Sequence, residues 1–149
     1  MLFKDIGPKS NTTDPHAMLA YRMIKRAVSF VAVVDDDESV CRALTRLLRS
    51  AGLEVETFSS GAEFLESAQT QLPDCVVLDL HMPETNGFEV QTRLVEAGVH
   101  LPVIIITGHD SPESHERALA LGAVSYFRKP VDGEALLDAI AVATAREAG

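Results

Sequence analysis

Apolar residues from position 30 onward occur in short runs separated by amphipathic stretches. Strands are predicted at about 30–35, 53–58, 74–79, 102–107 and 124–128. Four of these runs are nearly continuous in Val, Ile, Leu, Phe and Ala, a pattern typical of parallel strands that are covered on both faces. The run at 53–58 alternates apolar and charged residues instead, which predicts an edge strand.

Capping residues indicate where helices begin between these strands. Ser60 followed by Glu63 resembles a capping box at the start of the second helix. Ser111 followed by Pro112 fits the start of the fourth, since proline is accepted in a first helical turn. Asp132 is expected to cap the fifth helix.

Apolar stripes and glycines complete the helix predictions. The apolar residues of the first helix recur at helical spacing: Val40, Leu44, Leu47, Leu48 and Ala51. The stripe of the fifth consists of Leu136, Leu137, Ile140 and Ala141. The third helix is expected from about Thr85 to Glu96. The first, third and fourth helices are expected to end at Gly52, Gly98 and Gly122.

Five β-α units in succession predict a doubly wound α/β fold. We expect a five-stranded parallel sheet in the order 2-1-3-4-5, of the flavodoxin-like type, with five helices. This domain should occupy residues 29–149. Residues 1–28 do not fit the repeat, and we expect an N-terminal extension that is disordered or forms a short helix over about 15–27.

Polar residues directly follow or end four of the predicted strands. They are Asp35, Asp36 and Asp37, then Asp79, Thr107 and Lys129. In open α/β sheets the ligand site lies outside the carboxyl ends of the strands. The topology therefore predicts that these side chains share one rim of the sheet.

The chemistry of this rim suits a divalent cation and a phosphoryl group. Crowded carboxylates repel one another, and a bound cation removes that cost. Mg²⁺ prefers oxygen ligands and often shares a substrate phosphate. A carboxylate nucleophile can form an acyl phosphate, while Lys129 neutralises phosphate oxygens and the Thr107 hydroxyl donates to one of them.

Each of these residues also has an ordinary structural explanation. An aspartate after a strand is often a helix cap, so Asp36 or Asp37 could serve only to begin the first helix. Thr-Gly and Lys-Pro are common in loops. The placement of all of them at four strand ends of one repeat favours a functional site.

Charge and composition narrow the function classes. The 149 residues are 46% hydrophobic and 23% charged, with a net charge of −9. Residues 1–29 carry a net charge of +3 and residues 30–149 carry −12. The main body should therefore bind DNA poorly and cations well. Two cysteines, Cys41 and Cys75, and the absence of a long apolar stretch or clear secretory signal predict a reduced, cytoplasmic protein that does not cross a membrane.

Residues 30–145 resemble the receiver domain of a bacterial two-component response regulator. The matching segments are Val33-Val34-Asp35-Asp36-Asp37, Asp79-Leu80-His81-Met82-Pro83 with Asn86-Gly87, Ile106-Thr107-Gly108, and Tyr126-Phe127-Arg128-Lys129-Pro130. The Thr107-Gly108-His109 loop is similar to that of regulators of the nitrogen-fixation and nitrate-response branch.

The resemblance implies a role for each matched position. Asp79 would accept the phosphoryl group, and Asp36, Asp35, Asp79 and the backbone carbonyl of His81 would hold Mg²⁺. Thr107 and Lys129 would contact the phosphoryl group. Thr107 and Tyr126 would form the switch, and the bond between Lys129 and Pro130 is cis in many relatives. Asp37 is not a main metal ligand in relatives and could cap the helix instead.

Other positions have less specific implications. His81 and His109 lie where relatives tune hydrolysis of the aspartyl phosphate, although exposed loop histidines would look the same in the sequence. Gly87 is expected to adopt a backbone conformation that other residues resist. The remaining histidines show no metal-ligand spacing, so no zinc site is predicted.

The resemblance also implies partners and an output. A sensor histidine kinase or a phosphotransfer protein would supply the phosphoryl group. The surface around the fourth helix, fifth strand and fifth helix would then change and control a protein partner, with a phosphorylation-dependent homodimer as a further expectation. We expect a non-enzymatic stand-alone regulator or phosphorelay shuttle that binds no nucleic acid directly. The alternative is a receiver excised from a DNA-binding transcriptional regulator.

Rival functions differ at identifiable positions. A haloacid-dehalogenase-type phosphatase also uses Asp, Thr or Ser, Lys and Mg²⁺, but its nucleophile follows the first strand, and turnover of a phosphomonoester would favour it. A flavin-binding module would need a Ser/Thr/Gly-rich loop where this chain has three aspartates, and a yellow protein would favour it. A degenerate receiver acting only as a scaffold would lack part of the set Asp36, Asp79, Thr107 and Lys129.

Overall fold

The structure, a computed structural model, describes His16 and residues 29–148. Apart from His16, the predicted N-terminal extension over 1–28, with its short helix over about 15–27, lies outside the described residues. Within residues 29–148, strands and helices alternate along the chain.

The strands form one parallel sheet in the order β2-β1-β3-β4-β5. Their bounds are β1 Phe30–Val34, β2 Glu54–Phe58, β3 Cys75–Asp79, β4 Val103–Thr107 and β5 Ala123–Arg128. Every neighbouring pair is parallel. The predicted fold class and strand order are confirmed, and the alternating strand β2 lies at the edge, as its pattern predicted.

A helix follows each strand within the described residues. The helices are α1 Glu38–Ser50, α2 Gly61–Ala68, α3 Gly87–Glu96, α4 Pro112–Ala120 and α5 Gly133–Ala148. None of the helices in this described part has the length and apolar character needed to cross a bilayer.

Most of the predicted caps are present. Asp37, Ser111 and Asp132 each accept a backbone N–H from the first turn of α1, α4 and α5, respectively. These side chains satisfy donors that a helix start otherwise leaves unpaired. Asp37 is therefore the N-cap of α1. The sequence had left open whether Asp37 caps this helix or belongs to the site.

The predicted capping box at α2 is only half formed. Ser60 accepts the Glu63 N–H at 3.1 Å, but the Glu63 carboxylate does not bond back to Ser60. It accepts both the N–H and the hydroxyl of Ser59, each at 3.1 Å. Two donors on one residue satisfy the carboxylate better than one N–H would, so the reciprocal partner lies one position earlier.

The start of α3 also differs from the prediction. The helix begins at Gly87, two residues after the expected Thr85. Asn86 and Glu89 form a full capping box, with mutual side-chain to backbone bonds of 3.0 and 3.1 Å. This box fixes the first turn later than the apolar pattern alone suggested.

Alternate residues of the strands pack on opposite faces of the sheet. On β3, Val76 and Leu78 join the core under α2, α3 and α4, whereas Cys75 and Val77 join the core under α1 and α5. Both faces of the central strands are thus covered with apolar side chains. Polar side chains can reach solvent only at the strand ends, where the candidate site lies.

Candidate functional site

The strand register sets the predicted site residues at one level of the sheet. The last residues of β1 pair with β3 so that Asp35 and Asp79 follow at adjacent positions. Thr107 pairs with the residue directly before Lys129, and the Lys129 N–H donates to the Thr107 carbonyl at 2.8 Å. The predicted rim at the carboxyl ends of the strands is present.

Three carboxylates form a tight cluster on this rim. Asp35, Asp36 and Asp79 each offer an oxygen, and these oxygens all lie within 4.8 Å of one another. Asp35 and Asp79 are only 1% and 3% exposed, whereas Asp36 is exposed. Burial and then the charge of Asp35 raise the pKa of Asp79 to about 6, against the opposing effect of Lys129.

Lys129 provides positive charge to the two buried carboxylates. Its Nζ lies 2.8 Å from Asp35 Oδ2 and 3.5 Å from Asp79 Oδ1. Burial opposes its charge, but the contacts with Asp35 and Asp79 outweigh burial, and the pKa of Lys129 is raised. The side chain is therefore an ammonium at neutral pH.

The donor set of the cluster fits a hard divalent cation. Asp35 Oδ2 is buried and accepts no hydrogen bond of regular geometry, so the ion pair with Lys129 is the polar contact that the structure gives it. Carboxylate oxygens at this spacing are the ligands that Mg²⁺ prefers. Asp37 is not in the cluster, because its side chain bonds to Ser39 at the start of α1; these bonds lower the pKa of Asp37.

The Thr107 hydroxyl already has two partners. Thr107 is fully buried, its Oγ1 accepts the His109 N–H at 3.0 Å, and it lies 3.2 Å from His81 Nδ1. The two imidazole rings are 4.8 Å apart. Burial, then His109 and Lys129, lower the pKa of His81, so its ring is neutral at pH 7 and can either donate to or accept from the hydroxyl.

Tyr126 lies on β5 and bonds its hydroxyl to a loop residue outside the acidic cluster. The hydroxyl donates to Asp110 Oδ1 at 2.9 Å, and the ring lies 4.5 Å from that of His115. Burial and the bond to Asp110 raise the pKa of Tyr126 to about 12. Neither Asp110 nor His115 was predicted as a site residue. The position of Asp110, three residues after Thr107, is the signal that could have indicated it.

Gly87 was expected to adopt a backbone conformation that other residues resist, and this expectation was wrong. Within the described residues the glycines with positive φ are Gly52, Gly98 and Gly122. A Cβ on Gly87 would lie 2.6 Å from the Asp79 carbonyl oxygen and 2.8 Å from Leu80 Cα. Close approach of α3 to the end of β3, and not an unusual backbone conformation, excludes a side chain here.

Two loop features lie beside the site, and the first agrees with what the resemblance implied. The peptide bond between Lys129 and Pro130 is cis. A Cβ on Gly108 would meet only Lys129 Cδ, at 3.9 Å, so the approach beside Thr107 is open.

Proteins of a known family are similar to this chain in sequence and in fold. Residues 31–141 match the response regulator receiver domain. Nodulation protein W of Bradyrhizobium diazoefficiens is 43% identical over 119 residues, which are 80% of this chain and 52% of that protein. The transcriptional regulatory protein FixJ of Azorhizobium caulinodans is 36% identical over 118 residues, 79% of this chain and 56% of that protein.

A solved structure gives the same result. A response regulator receiver protein from Burkholderia phymatum is 48% identical, with a TM-score of 0.69 over 78% of this chain and 95% of that chain. The fold and the rim of carboxylates, hydroxyl and ammonium thus define a phosphoacceptor type of signalling domain. The chain belongs to the response regulator receiver domain family.

Receiver domains have a general function that is common to the family, and this chain matches only part of the length of its relatives. Receiver domains are phosphorylated on an aspartate with Mg²⁺, bound through an acidic pocket, and are typically non-enzymatic signalling domains. They interact with histidine kinases. The chain spans about half the length of the curated relatives it matches, 52% of the first.

Proposed function

We propose that this chain is a phosphorylation switch in which Asp79 accepts a phosphoryl group from a phosphohistidine of a sensor histidine kinase or phosphotransfer protein. The observation that carries this assignment is the cluster of Asp35, Asp36 and Asp79, with oxygens within 4.8 Å, beside the Lys129 ammonium. Asp79 is the last residue of the central strand β3.

In this proposal Asp35, Asp36, Asp79 and the backbone carbonyl of His81 hold Mg²⁺. Buried Asp35 and Asp79 and exposed Asp36 supply hard oxygen donors. Asp35 Oδ2 is buried and has the Lys129 ammonium as its polar contact, which leaves this oxygen able to accept a further positive ligand. When bound, the cation neutralises charge on the carboxylates and on phosphate oxygens.

Transfer of the phosphoryl group uses the Asp79 carboxylate as nucleophile and Lys129 and Thr107 as contacts to the phosphoryl group. An Asp79 carboxylate oxygen attacks phosphorus and forms the new P–O bond. The donor's N–P bond breaks, and its electron pair remains on the imidazole nitrogen, which then takes a proton. Lys129, now 3.5 Å from Asp79 Oδ1, balances the charge gained by the acyl phosphate, and the Thr107 hydroxyl donates to a phosphoryl oxygen.

The switch in this proposal consists of Thr107 and Tyr126. To reach the phosphoryl group, Thr107 must give up its contact with His81 Nδ1. Tyr126 then moves into the space behind it, and the surface formed by α4, β5 and α5 changes. This is a two-state equilibrium biased by a local charge, and its output is binding of a downstream protein or of a second copy of the chain.

The charge distribution supports a protein partner and not DNA as the direct target. Residues 30–149 have a net charge of −12, which repels phosphates. The FixJ relative is named a transcriptional regulatory protein, but this chain covers 56% of it. We propose a cytoplasmic regulator that acts through protein contacts, either alone or as a phosphorelay shuttle. The alternative is the receiver part of a DNA-binding regulator.

Phosphorylation with a small donor tests the assignment of Asp79. Incubation of the purified protein with Mg²⁺ and acetyl phosphate should add one phosphoryl group, measured by intact mass. Asp79→Asn should abolish the addition, while Asp132→Asn, at the exposed cap of α5, should retain it. Equal labelling of Asp79→Asn and wild type would exclude Asp79 as the acceptor.

A further inference from the structure

The Tyr126 side chain contacts three residues outside the acidic cluster: Asp110, His115 and the backbone of Ser111. Asp110, in the loop after β4, accepts its hydroxyl at 2.9 Å. His115, on α4, stacks against the ring at 4.5 Å between centroids and an angle of 40°. The ring also packs against the core under α2, α3 and α4. Tyr126 therefore has a defined position before any phosphorylation.

Asp110 is linked to Thr107 through a short loop. Only Gly108 and His109 lie between the two positions, and the His109 N–H donates to Thr107 Oγ1 at 3.0 Å. A shift of Thr107 Oγ1 toward Asp79 would break this hydrogen bond and so remove one restraint on the segment that carries Asp110. This geometry connects the hydroxyl of the site to the hydroxyl of Tyr126 by backbone and two hydrogen bonds.

The bond from Tyr126 is the main contact that Asp110 makes in the described structure. Arg128 Nε lies 3.9 Å from Asp110 Oδ2, but that arginine side chain is 74% exposed, and such exposed ion pairs contribute little. A hydrogen bond to an ionised carboxylate is stronger than one between neutral groups. The Asp110 carboxylate is thus the group best placed to hold the Tyr126 hydroxyl.

We propose that Asp110 is a positioning residue that holds Tyr126 in its unswitched orientation, so that switching requires the Asp110–Tyr126 hydrogen bond to break. This inference rests on the proposed function of Asp79, Thr107 and Tyr126. It goes beyond that function by assigning to Asp110, in the loop after β4, a restraint that stabilises the unphosphorylated state. By linkage, weakening the restraint must strengthen binding of any ligand that favours the switched state.

The affinity for a phosphoryl mimic tests the restraint. Beryllofluoride with Mg²⁺ should bind Asp110→Ala about threefold to tenfold more tightly than wild type, as measured by calorimetry, because the unswitched state loses one hydrogen bond. Asp110→Asn keeps an acceptor oxygen and should lie between the two. Glu66→Ala, which removes one negative charge from an exposed position on α2, outside the α4, β5 and α5 surface, should bind as wild type does.

A double-mutant cycle separates this role from a general effect on the loop. In a Tyr126→Phe background the hydroxyl is absent, and Asp110→Ala should then leave the affinity for beryllofluoride unchanged. A gain that persists in that background would overturn the inference, because Asp110 would then act without the Tyr126 hydroxyl.

Tyrosine fluorescence reports on the hydrogen bond between Tyr126 and Asp110. The chain has no Trp and two Tyr, so a Tyr21→Phe background leaves Tyr126 as the sole emitter. A carboxylate that accepts the phenol hydrogen quenches emission. Asp110→Ala should therefore be brighter than its parent, and the parent should brighten when beryllofluoride binds; constant emission in both comparisons would overturn the inference.

The two proposals fail in different ways. Equal affinities of wild type and Asp110→Ala for beryllofluoride would overturn the restraint and leave the phosphoacceptor function intact. A wild type that binds no beryllofluoride with Mg²⁺ would overturn both.

Discussion

The Asp79 carboxylate is buried beside a second carboxylate, and this position makes its ionised form unfavourable without a cation. Its pKa is raised from 3.8 to about 6. The folded protein therefore binds more protons than the unfolded chain between about pH 4 and pH 6. Stability of the metal-free protein should fall as pH rises through that window and should remain lower above it.

Replacing Asp79 by a neutral isostere should remove this cost. Asp79→Asn should raise the free energy of unfolding of the metal-free protein at pH 8 by about 1–3 kcal/mol, since each pKa unit corresponds to about 1.4 kcal/mol. The gain should shrink at pH 4, where Asp79 is protonated in the folded state. Urea denaturation in EDTA at both pH values measures it.

A matched variant and an added cation complete that test. Asp132→Asn, at an exposed helix cap, should show no comparable gain at pH 8. Mg²⁺ should stabilise wild type more than Asp79→Asn, because it binds the folded carboxylate cluster. A lower stability of Asp79→Asn than of wild type at pH 8 would contradict the unfavourable burial of this charge.

At the scale of elements, α2, α3 and α5 begin with a glycine, and the space around these glycines differs. A Cβ on Gly87, at the start of α3, would meet backbone atoms of Asp79 and Leu80 at 2.6 and 2.8 Å. A Cβ on Gly133, at the start of α5, would meet only the Leu47 side chain, at 3.3 Å. Backbone cannot move aside as a flexible side chain can.

Alanine at these two helix starts should have unequal effects. Gly87→Ala should lower the free energy of unfolding by about 1–3 kcal/mol, as overpacking does, and should weaken Mg²⁺ binding by displacing the end of β3. Gly133→Ala should change stability by less than about 0.5 kcal/mol. Chemical denaturation of both variants measures this difference; equal losses would assign the cost to the helix start and not to contact with β3.

The sequence was sufficient to predict the elements and the strand ends, but not the contacts that individual residues make between elements. Apolar runs and the handedness of β-α units placed Asp35, Asp79 and Lys129 on one rim, because register and topology follow from hydrophobic periodicity. The bond from Tyr126 to Asp110 could not be predicted, since it depends on the side-chain rotamers of a strand residue and a loop residue. Steric exclusion at Gly87 likewise depends on how closely α3 approaches β3.

At the scale of the whole molecule, three exposed apolar side chains lie on the α4, β5 and α5 surface. Leu119, Val124 and Val142 are 47%, 43% and 59% exposed. This is the surface proposed to change with phosphorylation. Apolar residues at such positions favour burial against a partner, and a second copy of the chain would bring an identical apolar surface to the contact.

Activation should therefore change the oligomeric state. With Mg²⁺ and beryllofluoride the protein should shift from monomer toward dimer in sedimentation velocity, and Val124→Lys should weaken the dimer about tenfold or more. Val95→Lys is the matched control, because Val95 is 59% exposed on α3, outside this surface. A wild type that stays monomeric at high concentration would contradict the homodimer.

The two edges of the sheet differ in how they can meet another chain. On β2 the outward positions Glu54 and Glu56 carry negative charge and are exposed, so two copies that approached through this edge would repel each other. The β5 edge carries Val124 and has no such acidic pair. Edge-to-edge pairing of two copies is therefore disfavoured at β2 and not at β5. A contact in which the β5 surface meets its own copy about a two-fold axis closes as a pair, whereas a contact that used both edges would extend from copy to copy.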